Sequence, residues 1–205
     1  MQRRALIKHL SLFSATAVFS LGFSSLRAAV AGETSPEWGY EGSLGPDHWG
    51  DLSPEYAVCK QGQGQSPINL QGDIPAILPI LRFQYHRIPL KLIHNGHTIQ
   101  VNADAGNSIT LQGTDFELLQ FHFHHPSEHT IRGNPFPMEA HFVHRSAQGE
   151  LAVVGVMMEI GRENQALLPV WKAMPTQAGA EQVVSGATLD LNQIVPFNHA
   201  GYRYF

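Results

Sequence analysis

QFHFHHPSEH, residues 120–129, puts four histidines and one glutamate into ten positions. The segment that leads into it, FELLQFHFHH (116–125), has the length and the alternation of a β-strand that stops at Pro126. Side chains alternate faces along a strand, so Gln120, His122 and His124 share one face while Phe121 and Phe123 share the other. The phenylalanines pack into core. The two imidazoles, at i and i+2, point together and can meet one metal ion.

A second strand, MEAHFVHR (138–145), repeats the pattern. Glu139, His141 and Val143 fall on one face, and His141 supplies a third imidazole if this strand pairs beside the first. Three histidines with an open fourth position form a catalytic zinc arrangement, and neutral imidazole suits Zn²⁺. Gln120 and Glu139 each stand two residues before a candidate ligand on the ligand face. Each can accept the remaining ring N–H of a histidine and so fix its tautomer. His125, His129 and His144 fall on other faces or in the turn and read as solvent-facing or structural.

Around these two segments the chain reads as β-rich. LRFQYH (81–86), LKLIHNGHTIQV (90–101) and SITLQG (108–113) read as short strands, with the HNG triplet as a turn. LAVVGVMMEI (151–160) follows the 138–145 strand across the turn SAQGE. ENQALLPVWKAM (163–174) is the best helix, weakened by Pro169. Residues 32–66 are rich in turn formers and read as irregular. The 19 Gly and 13 Pro, spread along 205 residues, favour short strands and turns. These features predict a mainly β, mostly antiparallel single domain spanning residues 32–205.

Residues 1–31 read as a secretory signal: a basic start, an uncharged run from Leu10 to Leu26, and Ala29-Val30-Ala31 as a cleavage site. Arg3-Arg4 resembles a twin-arginine export signal; an ordinary signal with two arginines is the other reading. The expected location is therefore periplasmic or secreted, with no stable membrane anchor once the signal is cleaved. Cleavage after Ala31 removes Arg3, Arg4, Lys8 and Arg27 from the 13 basic residues and none of the 17 acidic ones, leaving 9 against 17 and a net charge of −8. That acidic balance argues against nucleic acid or an anionic membrane as partner. Cys59 is the chain's single cysteine. In an oxidising compartment it reads either as half of a pair or as a buried thiol.

Two family resemblances follow from these residues. His122, His124 and Glu128, spaced H-x-H-x-x-x-E, resemble the metal motif of cupins, in which Glu128 would be a ligand, His141 the last ligand, and iron or manganese the metal. The residues before His141 lack the second cupin motif. The far longer match is to the α-carbonic anhydrases. It runs in the family's order through EWGYEGSLGPDHWGDL, GQSPINL, LIHNGHTIQV, LQFHFHHPSEHTI, MEAHFVH and LAVVGVM to GYRYF. This resemblance implies a twisted, mostly antiparallel central sheet with a few short helices and a zinc ion in a conical cleft. It implies His122, His124 and His141 as zinc ligands, with Gln120 and Glu139 behind them. Glu128 would be a buried carboxylate in the hydrogen-bond network and not a ligand. His97 would be the proton shuttle and Tyr40 a member of the solvent network. Val143 and Val153 would wall the CO₂ pocket. The implied reaction is the reversible hydration of carbon dioxide to bicarbonate and a proton.

The family pattern continues past GYRYF with a Thr-Thr-Pro-Pro-Cys segment. The resemblance therefore implies a domain incomplete at its C-terminus, in which Glu128 lacks its threonine and Cys59 its disulfide partner. On that reading, a zinc-binding relative with little or no activity is the alternative to a full enzyme.

Overall fold

The computed structural model describes residues 37–72, 74–196 and 204. The expected signal, residues 1–31, lies outside them. The described chain falls into two compact units that meet between Pro67 and Ile68.

The described part of the N-terminal unit, where the sequence over 32–66 reads as irregular, contains four short helical turns. Two are α-helical, α1 (Trp49–Leu52) and α2 (Val58–Gln61), and two are 3₁₀ turns, Gly42–Leu44 and Pro54–Tyr56. The Trp49 indole organises the segment before it, donating to the carbonyls of Gly39 at 2.8 Å and Leu44 at 2.9 Å. Trp38, Tyr40 and Trp49 pack edge to face around this point. Cys59 is buried in α2.

The second unit carries the strands: β1 (Asn69–Leu70), β2 (Arg82–Gln84), β3 (Arg87–His94), β4 (Ile99–Asn102), β5 (Ser108–Leu111), β6 (Thr114–His124), β7 (Thr130–Ile131), β8 (Asn134–Pro135), β9 (Met138–Ser146), β10 (Leu151–Met158) and β11 (Gln182–Asp190). The main sheet runs β10-β9-β6-β4-β3-β11, with β5 also paired to β6 and β2 paired to β5. All its pairings are antiparallel. A small second sheet joins β1, β7 and β8. The class expected from the sequence, mainly β with short helices, is the class observed.

Strands β6 and β9 are the centre. Their outer faces differ in chemistry. Phe121, Phe123, Ala140 and Phe142 project into the core with Leu90, Leu92 and Val101. Phe121 stacks on Phe142 at 4.9 Å, and Phe123 meets Trp171 of α3 (Leu168–Ala173) at 4.6 Å. This apolar side fixes which face of β6 is free for polar work. A one-residue slip would carry every histidine to the other face, so burial of the phenylalanines also sets the register of the site.

The predicted helix over 163–174 is shorter than its pattern. It starts at Leu168, with Pro169 at its second position, where no intrahelical N–H bond is lost. Asn164 organises the preceding turn, its side chain accepting from the Ala166 N–H at 3.0 Å. Strand β11 was not expected from the sequence. It lies at the sheet edge against β3, with a register shift between Val183 and Thr188 and a glycine, Gly186, inside it.

Candidate active site

The cross-strand register builds the site. On β6 and β9, Gln120 stands opposite Val143, His122 opposite His141, and His124 opposite Glu139. All six side chains share the face turned away from the phenylalanine core. The register is irregular between Leu118 and Gln120, before the histidines, so the i, i+2 spacing of His122 and His124 survives. One ring nitrogen from each of His122, His124 and His141 lies within 4.8 Å of the others, close enough to share an ion. The rings sit 4.6 to 5.5 Å apart, centre to centre.

Each expected orienting residue is in reach. Gln120 Oε1 lies 2.8 Å from His122 Nδ1, which leaves Nε2 of that ring for a metal. Glu139 Oε1 lies 2.9 Å from His141 Nε2, a close approach without the alignment of a good hydrogen bond, and leaves Nδ1 toward the cluster. Glu128 is close as well. Its Oε2 is 3.4 Å from His124 Nε2 and 3.7 Å from His141 Nδ1.

Electrostatics favour the metal-binding protonation states. Burial pushes the His122 ring down to about 4, and the neighbouring His141 adds to the shift. Burial takes His124 to about 3, with His141 and His122 pressing the same way. Both imidazoles are therefore neutral at pH 7, the form that donates a lone pair. Glu139 is the anion behind them. Burial alone would raise its pKa, but the hydrogen bond from His129 and the close His141 ring outweigh burial and lower it. The donor set thus fits a zinc ion: three imidazole nitrogens, two of the rings with an acceptor near the far ring atom.

His129, read from the sequence as solvent-facing or structural, is a buried partner of Glu139. Its Nδ1 lies 2.5 Å from Glu139 Oε1, and its N–H donates to Oε2 at 3.0 Å. The Glu128 N–H donates to the same Oε2 at 3.0 Å. The remaining nitrogen of His129 meets the Tyr204 hydroxyl at 2.5 Å. His144, expected like His129 to face solvent or be structural, is buried on the core side. Its Nε2 lies 2.7 Å from the Tyr85 hydroxyl and its Nδ1 3.2 Å from the Ala152 carbonyl. His125 is exposed, with Nδ1 2.7 Å from the Pro137 carbonyl.

The remaining expected residues divide by position. Val143 is buried beside Gln120 and pairs across β9–β10 with Val153, which is half exposed, so the two valines form one apolar step next to the histidines. His97 is exposed in the β3–β4 turn. Asn95 Oδ1 shapes that turn by accepting from the N–H groups of His97 and Thr98, both at 3.0 Å. Gln100, three residues on, stands directly opposite His122. Tyr40 belongs to the N-terminal unit, where it packs on Trp38 and Trp49.

Comparison with known proteins agrees with this geometry. A carbonic anhydrase of Nostoc sp. (strain PCC 7120 / SAG 25.82 / UTEX 2576) is 39% identical over 98% of this chain and 77% of its own length. One of Klebsiella pneumoniae is 45% identical over 82% of this chain and 68% of its own. Among solved structures, the α-carbonic anhydrase of Thermovibrio ammonificans in complex with the inhibitor sulfanilamide superposes with a TM-score of 0.77 at 41% identity, covering 82% of this chain and 74% of that one. The family model for eukaryotic-type carbonic anhydrase matches residues 44–205. This chain, with its three histidines gathered on paired antiparallel strands, belongs to the carbonic anhydrase family.

Proposed function

We propose that this carbonic anhydrase carries out its family's reaction, the reversible hydration of carbon dioxide to bicarbonate and a proton, at a zinc ion held by His122, His124 and His141. The observation that carries the assignment is the register that sets His122 against His141 and leaves His124 on the same face, with ligand atoms within 4.8 Å. Zinc, when bound, makes hydroxide available near neutral pH by acidifying water.

The protein's own residues do the rest. Gln120 and Glu139 hold the rings of His122 and His141 and fix which ring nitrogen of each faces the metal. Val143 and Val153 offer carbon dioxide an apolar wall beside the histidines. Glu128 acts in the hydrogen-bond network and is not a ligand. His97, exposed in the β3–β4 turn, exports the proton, since an imidazole can both take up and release one, and Tyr40 serves in the solvent network that the family resemblance implies. The substrate is a small neutral gas, and the acidic composition supplies no nucleic-acid surface. No helix among the described residues is long and apolar enough to cross a membrane.

The basic, apolar and small-residue order of residues 1–31 supports export to the periplasm or beyond. The test of the activity is stopped-flow CO₂ hydration by the purified chain, before and after chelator treatment and zinc return. Turnover that disappears with zinc and comes back with it meets the proposal. A zinc-loaded, folded chain without turnover would favour the alternative of a zinc-binding relative with little activity.

A further inference from the structure

The side chain of Thr98 ties the turn that carries His97 to the strand that carries His122 and His124. Thr98 is half-buried where the β3–β4 turn meets β4. Its Oγ1 accepts the Phe123 N–H at 3.2 Å and donates to the Phe123 carbonyl at 2.5 Å. The Ile99 carbonyl, at 3.3 Å, is a longer alternative acceptor for the same proton. Phe123 stands between His122 and His124 on β6, and His97 immediately precedes Thr98.

The N–H and C=O of a residue in an antiparallel strand point toward the same neighbour. For Phe123 that neighbour is on the β4 side, since both groups meet Thr98. The β4–β6 ladder ends one residue short of it, at Gln100 opposite His122. A buried backbone donor and acceptor left without partners would cost free energy. The Thr98 hydroxyl takes the place of a strand residue there, because one O–H can both accept and donate.

The two pieces that this hydroxyl joins are each firm. The Phe123 ring is buried and meets Trp171 at 4.6 Å, and β9 pairs along its other edge at Ala140. The turn is braced internally. Asn95 Oδ1 accepts from the His97 and Thr98 N–H groups at 3.0 Å, the Asn95 N–H donates to the Thr98 carbonyl at 3.2 Å, and His94 Nδ1 accepts from the Gly96 N–H at 3.1 Å. Fixing Thr98 to Phe123 therefore fixes the His97 backbone relative to the ligand strand.

We propose that Thr98 is a positioning residue for proton export: its hydroxyl locks the His97 turn to β6 between His122 and His124 and so sets the span the proton crosses. The proposal rests on the reading of His97 as the exporter and of His122, His124 and His141 as the zinc ligands. Zinc binding itself does not depend on Thr98, because the β6–β9 register gathers the three rings.

The test compares Thr98→Val, Thr98→Ser and His97→Ala with wild type in the full chain. Valine keeps the shape of threonine and loses the hydroxyl; serine keeps the hydroxyl and loses the methyl. The first readout needs no zinc and no turnover. Amide exchange at Phe123 should be about ten-fold faster in Thr98→Val and unchanged in Thr98→Ser. The Phe121 amide, inside the β4–β6 ladder, should not move in either. In the zinc-loaded chain, kcat for CO₂ should fall by about ten-fold in Thr98→Val, since small misplacements of reacting groups are costly. Its kcat/KM and zinc affinity should stay within two-fold of wild type, and added imidazole should restore the rate. Thr98→Ser should behave as wild type. In a His97→Ala background Thr98→Val should cost nothing further, because the two act on one step.

A packing role for Thr98 predicts the reverse order, with serine defective and valine normal, and that order overturns the proposal. So does a Thr98→Val chain whose Phe123 amide is exposed while its kcat is unchanged. If His97→Ala itself leaves kcat unchanged, the reading of His97 as exporter has failed, and the proposal falls with it.

Discussion

Gly155→Ala tests the link between the fold and the site. Gly155 lies on β10 directly across from His141. A β-carbon built there would fall 2.6 Å from Glu139 Oε1 and 3.5 Å from His129 Nδ1. Ordinary contact begins at 3.4 Å, so the carboxylate oxygen would have to retreat by about 0.8 Å. An exposed glutamate would simply swing away. Glu139 is fully buried, its oxygens occupied by two backbone N–H groups and by His129. Two effects oppose each other. Replacing glycine by alanine within a strand ordinarily gains about 0.5–1 kcal/mol. Disturbing one charge-assisted hydrogen bond costs about 1.5–3 kcal/mol. The steric effect wins, and the expected net loss of stability is about 1–2 kcal/mol. Displacing Glu139 from His141 should also weaken zinc binding by about 10- to 100-fold. Urea unfolding and chelator competition measure the two. Gly161→Ala, where no atom lies within 4 Å of the added carbon, is the control and should be near neutral. A Gly155→Ala chain that unfolds at or above the wild-type midpoint and binds zinc equally would refute the reasoning.

Three further outcomes follow from the same geometry. Glu128→Ala should keep zinc affinity within about ten-fold of wild type, since the carboxylate is beside the ligands and not among them; a loss as complete as in His122→Ala, read by metal analysis, would make it a ligand. His97→Ala should lower kcat while sparing kcat/KM for CO₂, and added imidazole should restore much of the rate; an equal fall in both without rescue would remove His97 from proton export. His144 should make stability acid-sensitive. Burial pushes its ring from 6.5 down to about 4, so between those pH values the unfolded chain binds the extra proton. The contribution is full above 6.5, declines as pH falls toward 4, and amounts to about 3 kcal/mol at about 1.4 kcal/mol per unit. Urea midpoints from pH 7 to 4 should therefore fall more steeply in wild type than in His144→Phe, and parallel slopes would show that His144 does not contribute.

The site was legible where a strand's two-residue period could be read. Phe121 and Phe123 declared the core face, and that alone put Gln120, His122 and His124 on the other. The same rule grouped Glu139, His141 and Val143, and the pairing of β6 with β9 met the one condition the sequence left open. His129 was missed because it follows Pro126 in an irregular turn, where no period tells which way a side chain points. A signal did exist across the sheet. Gly155 interrupts an otherwise apolar strand, and a glycine there commonly marks a close approach by another group; here that group is Glu139, which His129 holds. Strand β11 escaped for a different reason. Its edge position leaves it mostly exposed, and Gly186 and the register shift break the alternation that marks a strand. The short helical turns of the N-terminal unit depend on contacts such as those of the Trp49 indole, which turn-forming composition does not encode.

The central claim is that His122, His124 and His141 together hold one zinc ion. X-ray absorption at the zinc edge of the zinc-loaded chain tests it most directly. The account predicts one zinc per chain with three imidazole ligands at about 2.0–2.1 Å and one further oxygen ligand. His122→Ala should lose one imidazole from that shell or lose the metal altogether. A spectrum with fewer than three imidazoles, or one that His122→Ala leaves unchanged, would contradict it.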